Sequence, residues 1–507
     1  MYSSIGIFFT LLLVVTTGVE ASLDRRDVIK AVSDIELYIP QAMEKSFVPG
    51  LAIAVVFEDE VLIAKGFGIR KIGSSEPVNA RTAFQIASLS KPVTATVLAS
   101  LVGEGKLSWD GKICDLDPAF RLSDSWITAN LTIKDLLSHR SGLPDHAGDL
   151  LEDLGFETSD ILYRLRFITA LNAFRASYAY TNFGFSEAAY AAAIKAGLSW
   201  PEVAKRQLFD ALQMTSTTYS YKAFINSENR ATLHQITDGR AEALFIRDAD
   251  AQAPAGGVSS SIDDLAKWVS LILADGSYQG KQLIDSKALL ETQVPANISK
   301  ADLATGEINF YGMGWAIKWD TEGRKNVSHN GGFGIGARTY VSLYPQDKIG
   351  VIVISNAAWQ GVPEAIIDTF YDAVYQKPEQ KDLLDMWNKR WSTLGKKNTI
   401  SDQASSPQPA MPSKSYLGSY GNSYYGEVDI AVDSKGQLTL KIGPKLQEYL
   451  LTHLNRDVFT FDTSGENAIG KAQVIFAIDS EGQASSMTVD SLNEHGNGTF
   501  DKKVRGR

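Results

Sequence analysis

Three short clusters carry residue types suited to acyl chemistry. Ser88-Leu89-Ser90-Lys91 is the only Ser-x-x-Lys in the chain. It opens a helix read over 88–103, with Pro92 in the first turn, where a missing N–H costs little. Spacing i,i+3 sets the hydroxyl and the amine on one helix face. Serine is a weak nucleophile until a neighbour takes its proton, and lysine can do that only when burial or a nearby cation lowers its pKa. The helix N-terminus also offers N–H groups to a developing oxyanion. The plainer alternative is a capping Ser88 beside a solvated Lys91, with Ser90 the next hydroxyl to test as nucleophile. Tyr180-Thr181-Asn182 puts a phenol and an amide on one side of an extended segment. Together they could relay a proton and hold a lysine or a substrate carbonyl. Asn182 could equally cap the following helix, and Tyr420-Gly421-Asn422 repeats the pattern near the C-terminus. His329-Asn330-Gly331-Gly332 precedes a strand read over 337–345, although Asn-Gly is itself a hairpin signal. His146-Ala147-Gly148 has the same His-x-Gly form, but only His329 introduces a strand.

These clusters need a scaffold. The chain has 507 residues, 44% hydrophobic and 21% charged, which is globular composition with room for two or three domains. Lys+Arg number 49 against 59 Asp+Glu, a formal charge of −10 that repels phosphate backbones, so nucleic acid is not an expected partner. One cysteine, Cys114, excludes an internal disulfide and a Cys-rich zinc site, and no HExxH spacing occurs. The apolar run Ile5–Val19 is shorter than the roughly 20 residues of a membrane span. It precedes small residues of the type a signal peptidase reads, so residues 1–21 are expected to be an export signal and the protein periplasmic or secreted, without stable membrane insertion. Residues 24–46 read as a helix and 51–68 as a hairpin. Residues 104 to about 305 read mostly as helix and loop, including 160–173, 184–196, 200–211 and 262–274. Strands return at 313–319, 337–345 and 349–356, and a helix follows at 363–376. Residues 396–415 are polar and proline-bearing, a linker with few apolar residues to cross-pack. Beyond it, short alternating runs predict a small all-β domain over 416–507, separable from the rest.

The order Ser-x-x-Lys, Tyr-x-Asn, His-x-Gly resembles the serine hydrolases of the β-lactamase and penicillin-binding protein superfamily. The resemblance is especially to the group of class C β-lactamases, D-aminopeptidases, DD-peptidases and related esterases. The stretches LLSHRSGLPDH (136–146), PAGGVSSSIDDLAKW (254–268), YGMGW (311–315) and SHNGGFGIGARTYVSLYP (328–345) are similar to the same family, so the resemblance spans roughly 27–376. It implies an α+β fold over 22–395: an antiparallel sheet flanked by helices plus an all-helical subdomain. The tail resembles the lipocalin-like β-barrels appended to some peptidase-like members. It further implies that Ser88 becomes acylated and that Lys91 and Tyr180 move its proton. Asn182, His329, Asn330, Gly331 and Gly332 would bind substrate, with the Ser88 and Gly332 N–H groups as oxyanion hole, and no metal or cofactor would be needed.

The departure is the third cluster. True β-lactamases mostly carry Lys-Thr-Gly, whose ammonium and hydroxyl bind a substrate carboxylate. A histidine of pKa about 6.5 is mostly neutral at pH 7, which weakens anion recognition unless an arginine such as Arg338 supplies it. The reading therefore favours a peptidase or esterase acting on a small-molecule or peptide substrate, cell-wall fragments among the candidates. A genuine β-lactamase and a catalytically silent scaffold are the alternatives. Activity is expected to fall below about pH 6.5 as His329 and the base protonate. Specificity is expected to lie in loops 140–160 and 215–255, and the oligomeric state is left open.

Overall fold

The hairpin read over 51–68 is β1 (Gly50–Phe57) and β2 (Glu60–Gly68), and every residue of β1 is buried. A strand buried on both faces must be central, with cover on each side. Its side chains divide by alternation. Leu51, Ile53 and Val55 pack in one cluster, whereas Ala52, Ala54 and Val56 pack in another. The first cluster is closed by α1 (Arg25–Lys45), which presents Val28, Ile35 and Ile39 to the sheet.

This computed structural model describes residues 23–304, 306–378, 382–393 and 407–503. The expected export signal, 1–21, lies outside them. The helix that carries Lys91 is α2 (Ser90–Gly103), preceded by a 3-10 turn over Ala87–Leu89 that holds Ser88. Residues 113–256 are mostly short helices, the longest being α3 (Asn182–Ala196). The run read as one helix over 160–173 is helical only over Thr158–Phe167, and that over 200–211 changes to a π-turn after Ala204. The chain then forms α4 (Ile262–Leu273), β3 (Asn297–Ala301), β4 (Ile308–Tyr311), β5 (Ala316–Trp319), β6 (Lys325–Phe333), β7 (Ala337–Tyr344), β8 (Ile349–Ser355) and α5 (Val362–Val374). The eight strands make one antiparallel sheet in the order β2-β1-β8-β7-β6-β5-β4-β3. The alternating pattern of the sequence missed β3 and β4, which form a mostly exposed edge. Helices α1 and α5 cover one face; α4 and α2 cover the other. Helix α2 is buried from Ser90 through Leu101, wedged between sheet and helical region.

The tail is a nearly closed antiparallel barrel of nine strands. It runs from β9 (Gly418–Asn422) and β10 (Gly426–Val432) to a last strand over Thr499–Lys502, which pairs back on β9. The domain expected to be separable is docked on the catalytic region in the structure. Barrel residues Tyr424, Tyr425 and Val428 belong to the same buried cluster as Leu154 and Phe156 of the helical region. Several hydrogen bonds cross the boundary, including Gln447 Nε2 to the Asp153 carbonyl at 2.9 Å. The described part of the expected linker, 407–415, is fixed to the barrel: Gln408 accepts from Arg456 N at 2.9 Å, and Met411 N donates to Tyr416 at 2.8 Å. The polar linker said nothing about these contacts because the docking residues lie elsewhere in the sequence.

Arg338, the arginine considered for anion binding, is 3% exposed and paired with the buried Glu364 of α5. It also stacks on Trp391, its guanidinium carbon 3.4 Å from the ring centroid. Its charge is spent inside the fold. Arg338→Met should strand Glu364 and cost about 3–5 kcal/mol, whereas the double replacement Arg338→Met with Glu364→Leu should recover most of that loss. Denaturant unfolding checks both, and equal losses in single and double variants would refute the pairing.

Candidate active site

Ser88 sits within the 3-10 turn, after Ala87, which is held at φ 49°. Positive φ at a residue with a Cβ is strained and is tolerated where the surroundings force it. Strand β6 does the forcing. A Cβ on Gly331 would collide with the Ile86 carbonyl and lie 2.5 Å from Thr339 Oγ1. Only glycine therefore lets β6 press against the turn, and Thr339 Oγ1 donates to the Ile86 carbonyl at 2.9 Å to hold it. The Asn-Gly pair is thus mid-strand. The actual hairpin turn follows, at residues 334–336. Strand β5 pairs only with Lys325–Ser328, so that edge of His329–Phe333 has no β5 partner.

The helical spacing does what the sequence implied. Lys91 Nζ lies 3.1 Å from Ser88 Oγ, 2.7 Å from Asn182 Oδ1 and 3.1 Å from the Ala255 carbonyl. Tyr180 donates to Ser88 Oγ at 2.8 Å. Lys91 is fully buried, and desolvation pulls its amine down to about 7, opposed by the charge of Asp149. Burial pushes the Tyr180 phenol well up. Near neutrality the amine is therefore the group that can accept a proton, while the phenol keeps its own. Asn182, at the start of α3, spends its side chain on Lys91 and on Asp149 Oδ2 at 2.9 Å, which excludes the capping alternative. Ser90 is a structural hydroxyl, buried, donating to the Ala87 carbonyl at 2.7 Å and accepting from Val258 N at 2.9 Å.

His329 is 4% exposed, with Nε2 2.8 Å from Tyr311 Oη and Nδ1 2.6 Å from the Asn330 carbonyl. Burial, with Lys91 nearby, drives its pKa down to about 3. It is neutral through the whole working range, so the expected loss of activity through His329 below pH 6.5 is withdrawn. Asn330, one residue on, alternates to the opposite face and is exposed; it does not join the cluster. Tyr420 lies in the barrel core, donating to the Tyr416 carbonyl at 2.6 Å, and Asn422 caps a turn there.

Two histidines that the reading passed over belong to the site. His146 Nδ1 bonds Asp149 Oδ2 at 2.8 Å, which raises His146 to about 9, so that it is a cation at neutral pH. A chain His146–Asp149–Asn182–Lys91 results. The sequence signal was the His-x-Gly form, set aside because no strand follows it. His139, in the LLSHRSG stretch, clamps Tyr180: its carbonyl accepts from Ala179 N at 3.0 Å and its Nδ1 accepts from Thr181 N at 3.2 Å. Its ring lies 4.5 Å from that of Tyr180 and 4.9 Å from that of Tyr311. Among the described residues no group of His, Cys, Asp and Glu could hold a metal ion, and no helix is long and apolar enough to cross a membrane.

A sheet whose N- and C-terminal strands pair side by side, a buried Ser-x-x-Lys helix beneath a glycine-bearing strand, and a Tyr-x-Asn turn are those of a hydrolase of the β-lactamase and penicillin-binding protein superfamily. The chain belongs to the β-lactamase family, whose model matches residues 35–374; residues 402–502 match a second family, described as a domain of unknown function (DUF3471). Unguisins hydrolase ungD of Aspergillus violaceofuscus is 26% identical over 438 residues, 79% of this chain and 76% of that protein. Penicillin-binding protein 4 of Amycolatopsis lactamdurans is 28% identical, covering 61% of this chain and 81% of its own. A solved structure, the octameric penicillin-binding protein homologue from Pyrococcus abyssi, has the same fold. It shows a TM-score of 0.59 and 20% identity, covering 93% of this chain and 100% of that one.

Protonated Lys91 cannot accept the Ser88 proton, so serine acylation should rise with pH through about 7. Asp149 raises the lysine, and His146⁺ offsets Asp149. His146→Ala should therefore move this limb to higher pH, while His329→Gln should leave it in place. The rate of fluorophosphonate labelling against pH reads both. A limb that follows His329 instead would reverse the assignment.

Proposed function

We propose that the protein is an acyl-serine hydrolase acting on small peptide, amide or ester substrates. One observation carries the reading: Ser88 Oγ is held at once by a buried amine and a protonated phenol, at 3.1 and 2.8 Å. In the neutral form of Lys91, one of its three hydrogen-bonding directions becomes a lone pair facing Ser88. Ser88 gives its proton to Lys91 as its oxygen attacks the carbonyl. The oxyanion forms against the N–H groups of Ser88 and Gly332. Tyr180 passes its proton to the leaving group and is refilled from Lys91. Water then repeats the attack on the acyl-enzyme and returns the serine.

The environment of His329 supports peptidase or esterase action over β-lactam hydrolysis. A neutral imidazole at its position offers no charge to a substrate carboxylate, and Arg338 is committed to Glu364. A relative named as a D-alanyl-D-alanine-carboxypeptidase/endopeptidase agrees with peptide bonds as targets, and one named as an unguisins hydrolase agrees with hydrolysis. The family's name and the penicillin-binding relatives keep β-lactam hydrolysis as the second reading. Export belongs to the proposal and rests on the apolar run of residues 5–19.

Ser88→Ala should remove fluorophosphonate labelling and lower ester turnover by several orders of magnitude with the fold retained. Residual turnover above about a tenth of wild type would place the nucleophile elsewhere, and absent labelling of the wild type would favour a silent scaffold. Nitrocefin turnover should be far slower than p-nitrophenyl ester turnover. A wild-type nitrocefin rate of about 10 per second or more, the middle of the range for ordinary enzymes, would make β-lactam hydrolysis the function.

A further inference from the structure

Of the barrel segments that touch the catalytic region, three land beside a part of the site. The Glu466 carboxylate accepts from Gly334 N at 3.2 Å, two residues past Gly332. It shares Arg247 with Glu152, whose carboxylate meets the guanidinium at 2.8 and 3.0 Å. Arg247 is 8% exposed, its guanidinium carbon lies 5.2 Å from the Phe333 ring centroid, and its carbonyl accepts from Gln85, three residues before Ser88, at 2.7 Å. The loop bearing Glu466 is anchored by Asp153, which accepts from Glu466 N at 3.1 Å and from Asn467 N at 2.9 Å. On the Tyr180 side, Tyr424 Oη accepts from Gly148 N at 3.0 Å, next to the Asp149 that holds Asn182. His495 Nε2 donates to the Asp145 carbonyl at 2.8 Å, next to His146, and His146 N in turn donates to the Tyr180 carbonyl at 2.7 Å.

We propose that the barrel is a working part of the catalytic cleft. In it, Glu466 is a positioning residue that fixes the turn behind the oxyanion-hole strand through Gly334, while Tyr424 fixes the 145–149 segment behind Tyr180 and Asn182. The inference rests on the acyl-serine reading, since it needs Gly332 to face a reacting carbonyl. The barrel contacts both sides of Ser88: the turn after β6 on one, the 145–149 segment on the other. A half-buried, charge-shared carboxylate bonded to a backbone N–H leaves that turn little freedom. Oxyanion donors repay such fixing, because misplacement by about 1 Å costs up to roughly a hundredfold in rate. A barrel that served only as a solubilising appendage would have no reason to place these contacts on the strand and segment flanking the nucleophile.

The test uses the full chain, a p-nitrophenyl ester and fluorophosphonate labelling. Glu466→Ala removes the acceptor and should lower kcat about tenfold or more with KM within about twofold, because the oxyanion is stabilised after binding. Glu466→Gln keeps a carbonyl for Gly334 and should restore most of kcat. Tyr424→Phe deletes one hydroxyl and keeps the packing, so it reads the other side even where Glu466→Ala fails to fold; kcat should fall about three- to tenfold. Wild-type kcat in either Glu466→Ala or Tyr424→Phe would overturn the proposal. So would a Gln variant as impaired as the Ala variant, which would mean that only the charge pairing with Arg247 matters. A wild-type chain that labels at Ser88 but ignores these substitutions overturns this inference alone. A chain that never labels overturns the acyl-serine reading and this one with it.

Discussion

A lysine amine held away from water beside a serine hydroxyl is the constraint on which the site depends. An exposed lysine keeps its proton near neutrality and cannot serve a serine as base. Taking the amine out of water requires α2 to be buried on every side, and Lys91 then needs acceptors to replace its lost hydration. Asn182 and the Ala255 carbonyl supply them, one from the helical region and one from the PAGG stretch before α4. The two halves of the catalytic region are thus held to the same nitrogen. The charge that would undo the arrangement, Asp149, is met by His146 rather than by the lysine, so the amine stays near the working range.

The same dryness decides what the site can recognise. His329 stands where relatives of the β-lactamase type carry an ammonium, and its burial keeps it neutral over the whole range in which Lys91 titrates. It lies against Tyr311, which with Tyr178 and His139 forms an aromatic packing group beside the Tyr180 phenol. A wall of this kind orients by shape and by neutral hydrogen bonds. Positive charge is nearby, but Arg338 and Arg247 each answer a buried carboxylate, and neither is available to a substrate anion.

The barrel docks on the loops that sequence reasoning had assigned to specificity. Residues 145–153 and Arg247 fall inside the 140–160 and 215–255 segments, and they carry most of the polar contacts to the tail. Loops with few apolar contacts of their own are easily displaced. Here Leu143, Leu151 and Leu154 anchor the first segment in the core, and the barrel adds polar partners close to Ser88.

Much of this was legible in the residues, and the reason is local. Ser88 and Lys91 are one helical turn apart, so their meeting follows from 3.6 residues per turn. The continuous apolar runs of β1 and β8 and the alternation of β7 mark strands because one face or both must be buried. Gly331 reads as a glycine, but the cause of that choice, the approach of β6 to the Ile86 carbonyl, lies some 240 positions away and is a fact of the folded chain. His146 and His139 were hidden for another reason: their partners Asp149, Asn182 and Tyr180 are assembled by loops with no periodic signal. Edge strands β3 and β4 were missed because exposed strands need not alternate. The charge state of His329 could not be read from its type, since a pKa belongs to an environment: the same imidazole is neutral in the buried wall and, at His146 beside a carboxylate, positive. Sequence determined which groups could react and the elements that carry them. Tertiary packing alone decided which of them are dry, which are charged, and that the barrel closes on the site, because desolvation and long-range contact are properties of a three-dimensional neighbourhood.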